Sequence, residues 1–296
     1  MLEAYMLLAI KMRHHLHFYK QGLEAFFDAL EDKAFSEFTL KKVLNSTHDL
    51  YPNTTTEKRV VEYLIKYSFL KKTSFINPKN RNAFIYFWRE QSDYTIISGL
   101  RENVYYSHFS ALFINELTLQ IPKSVYLNHE RSSQILPNKL YQSAIDAAFK
   151  EPQRKVSDFF KYKEYNVFIL NGKHTNHLGV LRAPVELGNF YYTDIERTLI
   201  DITVRPNYAG GVFEVLSAFK LAKEKLNIDK LLTYIEQINF AYPYKQALGF
   251  YLEKSGYNEN DLLKFGGSNE FKFYLTYNIK QPAYSERWNI VYPKGF

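Results

Sequence analysis

The chain is 296 residues long, 46% hydrophobic and 23% charged, which supplies a sizeable core and room for two domains. It has no cysteine, so disulfides, thiolate zinc sites and cysteine nucleophiles are all excluded. The net charge is +7, and the stretch from Lys58 to Arg89 accounts for it, with eight bases against the single acid Glu62. Charge concentrated in this way points to a polyanionic partner.

Residues 1–18 read as an N-terminal extension. Its apolar run, Ala4 to Ile10, follows an acidic Glu3, lacks a small-residue cleavage pattern and is too short to span a bilayer, so a cytoplasmic location with no membrane partner is expected. Leu23, Phe26, Phe27 and Leu30 then recur at helical spacing. Ser36 opens a second helix whose expected apolar side is Phe38, Val43 and Leu44, and Pro52-Asn53 breaks the chain before a third. Thr54 and Glu57 have capping-box spacing. In the helix that follows, Val61, Leu64 and Ile65 share the expected inward face, with Thr55, Arg59, Tyr63 and Lys66 opposite. The aromatic-rich segments "FLKKTSFI" and "AFIYFWRE" flank the polar turn "NPKNRN" and predict a hairpin.

Three helices and then a hairpin is the order of a winged helix-turn-helix, expected here over residues 19–91. The third helix would enter the major groove of DNA, with Thr55 and Arg59 as base readers and Thr56, Lys58 and Lys66 beside them. Lys71, Lys72, Lys79 and Arg81 on the wing would meet phosphates. Residues 92–296 change character. "YYSHFSALFINELT" predicts an amphipathic helix with Ala111, Leu112 and Leu117 inward; "SVYLN" and "NVFILNG" predict strands. Helices follow at "VFEVLSAFKLAKEKL", "IDKLLTYIEQIN" and "YPYKQALGFYLEKSG", and strands return in "FKFYLTYNI" and "RWNIVY". The fold class is α+β, an N-terminal winged helix followed by a mixed domain.

The densest charge in the second half, "YYTDIERTLIDITVRPNYAGG", reads as architecture. Thr193 and Glu196 have capping-box spacing, Asp194 suits the first turn, and Arg197 with Asp201 forms an i, i+4 pair expected on a surface helix. Ile195, Leu199 and Ile202 mark its buried face. Arg205-Pro206 ends the helix and Gly210-Gly211 frees the backbone behind it. "FGGSNEF" resembles the Gly-Gly-Ser turn of nucleotidyltransferases but lacks the following carboxylate pair that holds magnesium. The alternative reading is a metal-dependent nuclease using Asp261, Glu270 and Lys272. His174 with His177, and His14, His15 and His17, read as solvated residues, since zinc needs a further ligand and no cysteine can supply it. The expectation is a non-enzyme with no catalytic residue, no metal and no cofactor.

"YTDIERTLIDITVRPNYAGG" also resembles the signature of the AbiEi-type antitoxins, regulators of bacterial viral-defence systems. "YYSHFSALFINELT", "KQALGFYLEKSG" and the closing "YLTYNIKQPAYSERWNIVYP" agree with it in order, so the resemblance spans most of residues 94–296. It implies an antitoxin domain over residues 92–296 behind a winged helix. It further implies repression of its own operon at operator DNA upstream, and neutralisation of a nucleotidyltransferase-like toxin. Glu196, Arg197, Thr198, Asp201, Arg205 and Pro206 carry over from the signature, as architecture or as part of a neutralising surface. The N-terminal extension and the long turn from Asn45 to Asn53 depart from the family pattern.

Overall fold

The computed structural model describes residues 2–133, 139–153, 156, 159–266 and 270–296, with side chains from residue 16 onward apart from residue 48. The chain is mixed α+β, and it divides into two compact units. The first comprises residues 1–103, 160–162 and 183–190, and the second comprises the rest.

The first unit opens with one long helix, α1 (Leu2–Ala29), that runs unbroken through the residues read as an extension and into the expected first helix. Leu23 and Phe27, one turn apart, are fully buried on it. β1 (Ala34–Ser36) leads into α2 (Glu37–Asn45), capped as expected by Ser36, whose hydroxyl accepts from the Thr39 amide at 3.1 Å. The apolar face of α2 differs from the expectation. Leu40 and Leu44 are buried and Phe38 is exposed, because residues 40 and 44 lie one turn apart on a side that residue 38 does not share.

Helix α3 (Glu57–Tyr67) begins after a turn in which the Thr55 amide donates to the Pro52 carbonyl. Thr54 is therefore outside the helix, the Thr54–Glu57 capping box does not form, and Thr56 is the cap without a side-chain bond. The buried face is Val60, Tyr63 and Leu64, rotated from the expected Val61, Leu64 and Ile65; Ile65 is exposed. Inward-facing Tyr63 keeps a partner for its hydroxyl, His17 Nδ1 at 3.1 Å. β2 (Leu70–Phe75) and β3 (Ala83–Trp88) form the expected antiparallel hairpin, and β1 pairs with the outer edge of β3 to give the order β1-β3-β2. Trp88 stacks on Phe27 at 4.9 Å and donates to Asp28 at 2.6 Å, while Arg89 forks the same carboxylate at 2.7 Å. These bonds from Arg89 and Trp88 hold the Asp28 carboxyl well below the usual range. The short helix α4 (Asp93–Ser98) closes the unit.

In the second unit β4 (Val104–Tyr106) and α5 (His108–Ile114) replace the single helix expected there; Ala111 and Leu112 are buried as expected, and Leu117 is buried just beyond the helix. They are followed by β5 (Ser124–Glu130), α6 (Gln142–Lys150), β7 (Tyr165–Gly172), β8 (Val180–Arg182) and β9 (Tyr191–Thr193), while β6 (Phe159–Tyr162) belongs mostly to the first unit. Within the unit the strands order as β7-β5-β4-β9-β8, with β5–β7 and β4–β9 parallel and the other pairs antiparallel. Both β4 and β9 run straight into a helix, α5 and α7 (Ile195–Val204). Helices α8 (Val212–Leu221), α9 (Ile228–Ile238), α10 (Tyr244–Lys254) and α11 (Glu259–Phe265) share one apolar core with α7. A small sheet of β10 (Phe273–Tyr274), β11 (Pro282–Ser285) and β12 (Ile290–Pro293) completes the chain, with Trp288 packed so closely over Gly249 that no β-carbon fits there. No described helix is long and apolar enough to cross a membrane.

Candidate functional site

The residues singled out for DNA are held on two elements of the first unit. Thr55 and Thr56 precede α3, Lys58 and Arg59 stand exposed on its first turn, and Lys66 is exposed on its last. The hairpin tip carries Lys79 and Arg81, both exposed. The tip is organised by Asn77, a buried residue that sequence reasoning missed. Its side chain accepts from the Lys79 amide at 2.8 Å, its own amide donates to Asn82 at 2.9 Å, and Asn80 takes the left-handed conformation the turn needs. Lys71 and Lys72 are neighbours on a strand and project to opposite faces. Lys71 pairs with Glu90, whereas the Lys72 ammonium lies 4.1 Å from the centre of the Phe84 ring. Lys72 meets Lys58, Val61 and Ile65 of α3 across a groove of about 820 Å³ between α2, α3 and the hairpin.

The second unit gathers the signature residues around α7. Asp194, not Thr193, is the cap: its Oδ1 accepts from the Arg197 amide at 2.8 Å. The pair of Arg197 and Asp201, expected at a surface, is buried, with side chains 4% and 10% exposed and Nε–Oδ1 2.9 Å apart. Every residue from Glu196 to Thr203 is buried, so α7 is a central helix enclosed on all sides rather than an amphipathic one. Arg197 can be enclosed because each part of its guanidinium has an acceptor. Besides Asp201, Nη1 donates to Thr175 Oγ1 at 2.9 Å and the Leu178 carbonyl at 2.8 Å, and Nη2 to the Tyr105 hydroxyl at 3.3 Å.

The network continues outward. Tyr105 donates to Glu130 at 2.9 Å and accepts from Asn128 at 2.6 Å. Glu130 also accepts from the Thr175 hydroxyl and, at 2.7 Å, the Thr175 amide. Burial pushes the Glu130 carboxyl up, but these bonds outweigh it and hold the group below its usual range. Burial likewise opposes the Arg197 charge and the facing carboxylate outweighs it, whereas burial raises Asp201 against the pull of Arg197. On the other side of the helix Lys230 bridges Asp194 at 3.0 Å and Glu196 at 2.8 Å, and the Asn227 amide donates to Glu196 at 2.9 Å. Thr198 lies 2.8 Å from Thr193 Oγ1. Arg205 caps α7, its guanidinium 5.8 Å from the Tyr208 ring centre, and Pro206 opens a 3-10 turn that ends at left-handed Gly210. Tyr105, Asn128, Glu130, Thr175 and Lys230 could not be found from the sequence: each is far along the chain, and no local pattern ties it to α7.

His108 is buried beside this helix at a left-handed φ of 52°, its Nδ1 2.8 Å from Ser107 Oγ. Burial, then the charges of Arg205 and Arg197, push its imidazole well below the usual value, so it is neutral when folded. Unfolding lets it take a proton near pH ~6.5, so its contribution is complete above that pH and falls below it by up to about 1.4 kcal/mol per pH unit. Urea titrations between about pH 7.5 and about pH 5.5 are expected to show this slope in the wild type and not in His108→Asn, a residue that tolerates the left-handed backbone. Comparing the two proteins separates His108 from Asp201, whose raised pKa acts in the opposite sense.

The remaining candidates are dispersed. Asp261 lies in the first turn of α11 and accepts from Asn258 at 2.6 Å, Glu270 is exposed outside any element, and the Lys272 backbone is bonded to Gln142. The Gly-Gly-Ser turn lies largely outside the described residues, at 267–269. His174 Nδ1 donates to the Arg131 carbonyl at 3.1 Å, and His177 sits edge-on to the Tyr105 ring. The side chains of His14 and His15 lie outside the described residues. Among the described residues no three or more His, Cys, Asp or Glu side chains come close enough to hold a metal ion.

No family model matches the chain, and no curated protein matches it. Among solved structures it is similar to the crystal structure of the RV2827C protein from Mycobacterium tuberculosis, at 9% identity and a TM-score of 0.51, over 93% of this chain and 91% of that one. At that identity the likeness is one of fold.

Proposed function

We propose that the first unit is a winged helix-turn-helix that binds DNA, and that the protein is a cytoplasmic autorepressor and antitoxin paired with a nucleotidyltransferase-like toxin. One observation carries the DNA-binding half. The element order α2, α3, hairpin, with the sheet β1-β3-β2, leaves Lys58, Arg59, Lys66, Lys72, Lys79 and Arg81 exposed on the third helix and the hairpin. The antitoxin half rests on the ordered motifs from residue 94 onward, and the resemblance supplies the operator and the toxin as partners.

The test is a salt-titrated anisotropy assay on the DNA upstream of the gene beside a scrambled duplex. Tight binding to the upstream duplex alone, with a steep log–log salt dependence, supports the repressor; equal weak binding to both rejects it. In the same assay Arg59→Ala is expected to lose about 1–3 kcal/mol on the cognate duplex and to relax discrimination, whereas Lys79→Ala weakens all duplexes alike. Co-expression with the adjoining gene tests neutralisation: rescue of growth from a toxic neighbour supports it, and unchanged toxicity rejects it.

A further inference from the structure

A second basic groove lies in the other unit, between the end of α6 and the small C-terminal sheet. Its volume is about 760 Å³, within the range of small-molecule sites, and it is lined by Lys150, Lys272 and Lys280, with Asp146 as the only acid among the described residues that line it. Asp146 is already engaged, its Oδ1 accepting from Gln142 at 2.8 Å and from the Tyr274 hydroxyl at 2.8 Å. Among the described residues no carboxylate forms a direct ion pair with any of the three lysines, and Lys272 acts on Asp146 only at longer range, although ion pairs are frequent elsewhere on this unit, at Lys225, Lys230, Lys245, Lys264 and Arg287. Tyr274 and Tyr284 offer ring surface beside the ammoniums, and Tyr284 is 52% exposed.

The walls are fixed in advance of any ligand. Gln142 bonds the Lys272 backbone twice, donating to its carbonyl at 2.9 Å and accepting from its amide at 2.9 Å. The Asn278 amide donates to the Phe149 carbonyl at 2.8 Å, tying the loop that carries Lys280 to the end of α6. The Tyr284 hydroxyl donates to Asn289 at 2.8 Å, which orients its ring. Such preorganisation lowers the ordering cost of binding. Ammonium groups with no carboxylate in direct contact, set beside an exposed tyrosine in a cleft of this size, match a ligand with several negative charges joined to a flat ring.

We propose that this groove binds a nucleoside phosphate, with the lysines on the phosphates and Tyr284 against the base. The ligand is either a free nucleotide or one residue of a nucleic-acid strand. The site is separate from the helix and hairpin assigned to DNA, and it does not depend on that assignment.

Calorimetric titration of the full chain with ATP, with a short oligothymidylate and with tripolyphosphate distinguishes the possibilities. Saturable binding of ATP is expected, weakened on the order of tenfold or more by Lys272→Gln with Lys280→Gln, as two charge-assisted contacts are lost. Tyr284→Ala is expected to weaken ATP but leave tripolyphosphate unchanged. Oligothymidylate binding that falls in these variants, with ATP inert, identifies the source as a strand. Both lysines and the tyrosine are exposed, so the variants are expected to fold, which circular dichroism checks. The proposal is overturned if neither ATP nor oligothymidylate binding responds to the lysine changes, or if tripolyphosphate binds as well as ATP and Tyr284→Ala alters nothing.

Discussion

Replacing Arg197 by methionine is expected to destabilise the protein by about 3–5 kcal/mol, the cost typical of leaving one member of a buried ion pair alone. The substitution roughly conserves length and apolar packing, so the loss reports the guanidinium itself. Without it Asp201 faces the core unpaired, and Thr175 Oγ1, the Leu178 carbonyl and the Tyr105 hydroxyl each lose a donor. Urea unfolding measures it. Adding Asp201→Leu is expected to restore a large part of the loss, since an apolar pair can replace a buried ion pair at little cost. A loss below about 1 kcal/mol in the single variant would show that Arg197 does not hold α7 in place. The result also bears on neutralisation. Four of the five guanidinium donors bond inside the protein and the side chain is 4% exposed, so Arg197 presents little to a partner.

The second large effect is expected at the start of α3. Lys58→Glu with Arg59→Glu should weaken binding to the upstream duplex by about 3–5 kcal/mol, on the order of a thousandfold, because two attractions to the DNA become repulsions. The log–log salt slope should become shallower by about one if Lys58 meets a phosphate, while the loss of Arg59 as a base reader relaxes discrimination. Both residues are exposed, so the fold should change by no more than about 0.5 kcal/mol, which separates a binding defect from unfolding. Unchanged affinity would exclude α3 from the groove and leave the hairpin as the source of any DNA binding. A groove lined by Val61, Ile65 and Phe84 beside Lys72 adds apolar area next to these charges.

What could be read in the chain depended on how far apart the interacting residues lie. The mixed α+β class, the hairpin around "NPKNRN", the Ser36 cap, the end of α7 before Pro206 and the left-handed Gly210 and Gly211 are local: backbone sterics and short-range hydrogen bonds fix them within a few residues. The +7 of the window from Lys58 to Arg89 is likewise a property of composition. Faces and burial were not legible in this way. Tyr63 lies inward on α3 with its hydroxyl on His17, 46 residues away, and the buried side of the helix is turned away from Ile65. The Arg197–Asp201 pair has the spacing of an ordinary surface pair. Only the approach of Tyr105 on β4 and of the turn that carries Thr175 and Leu178 supplies the acceptors that make its burial tolerable. The sequence alone determined which elements form and where the charge lies. The tertiary structure decided which charges are enclosed and which stay in solvent, because enclosing a charge depends on partners that the chain brings together only when folded.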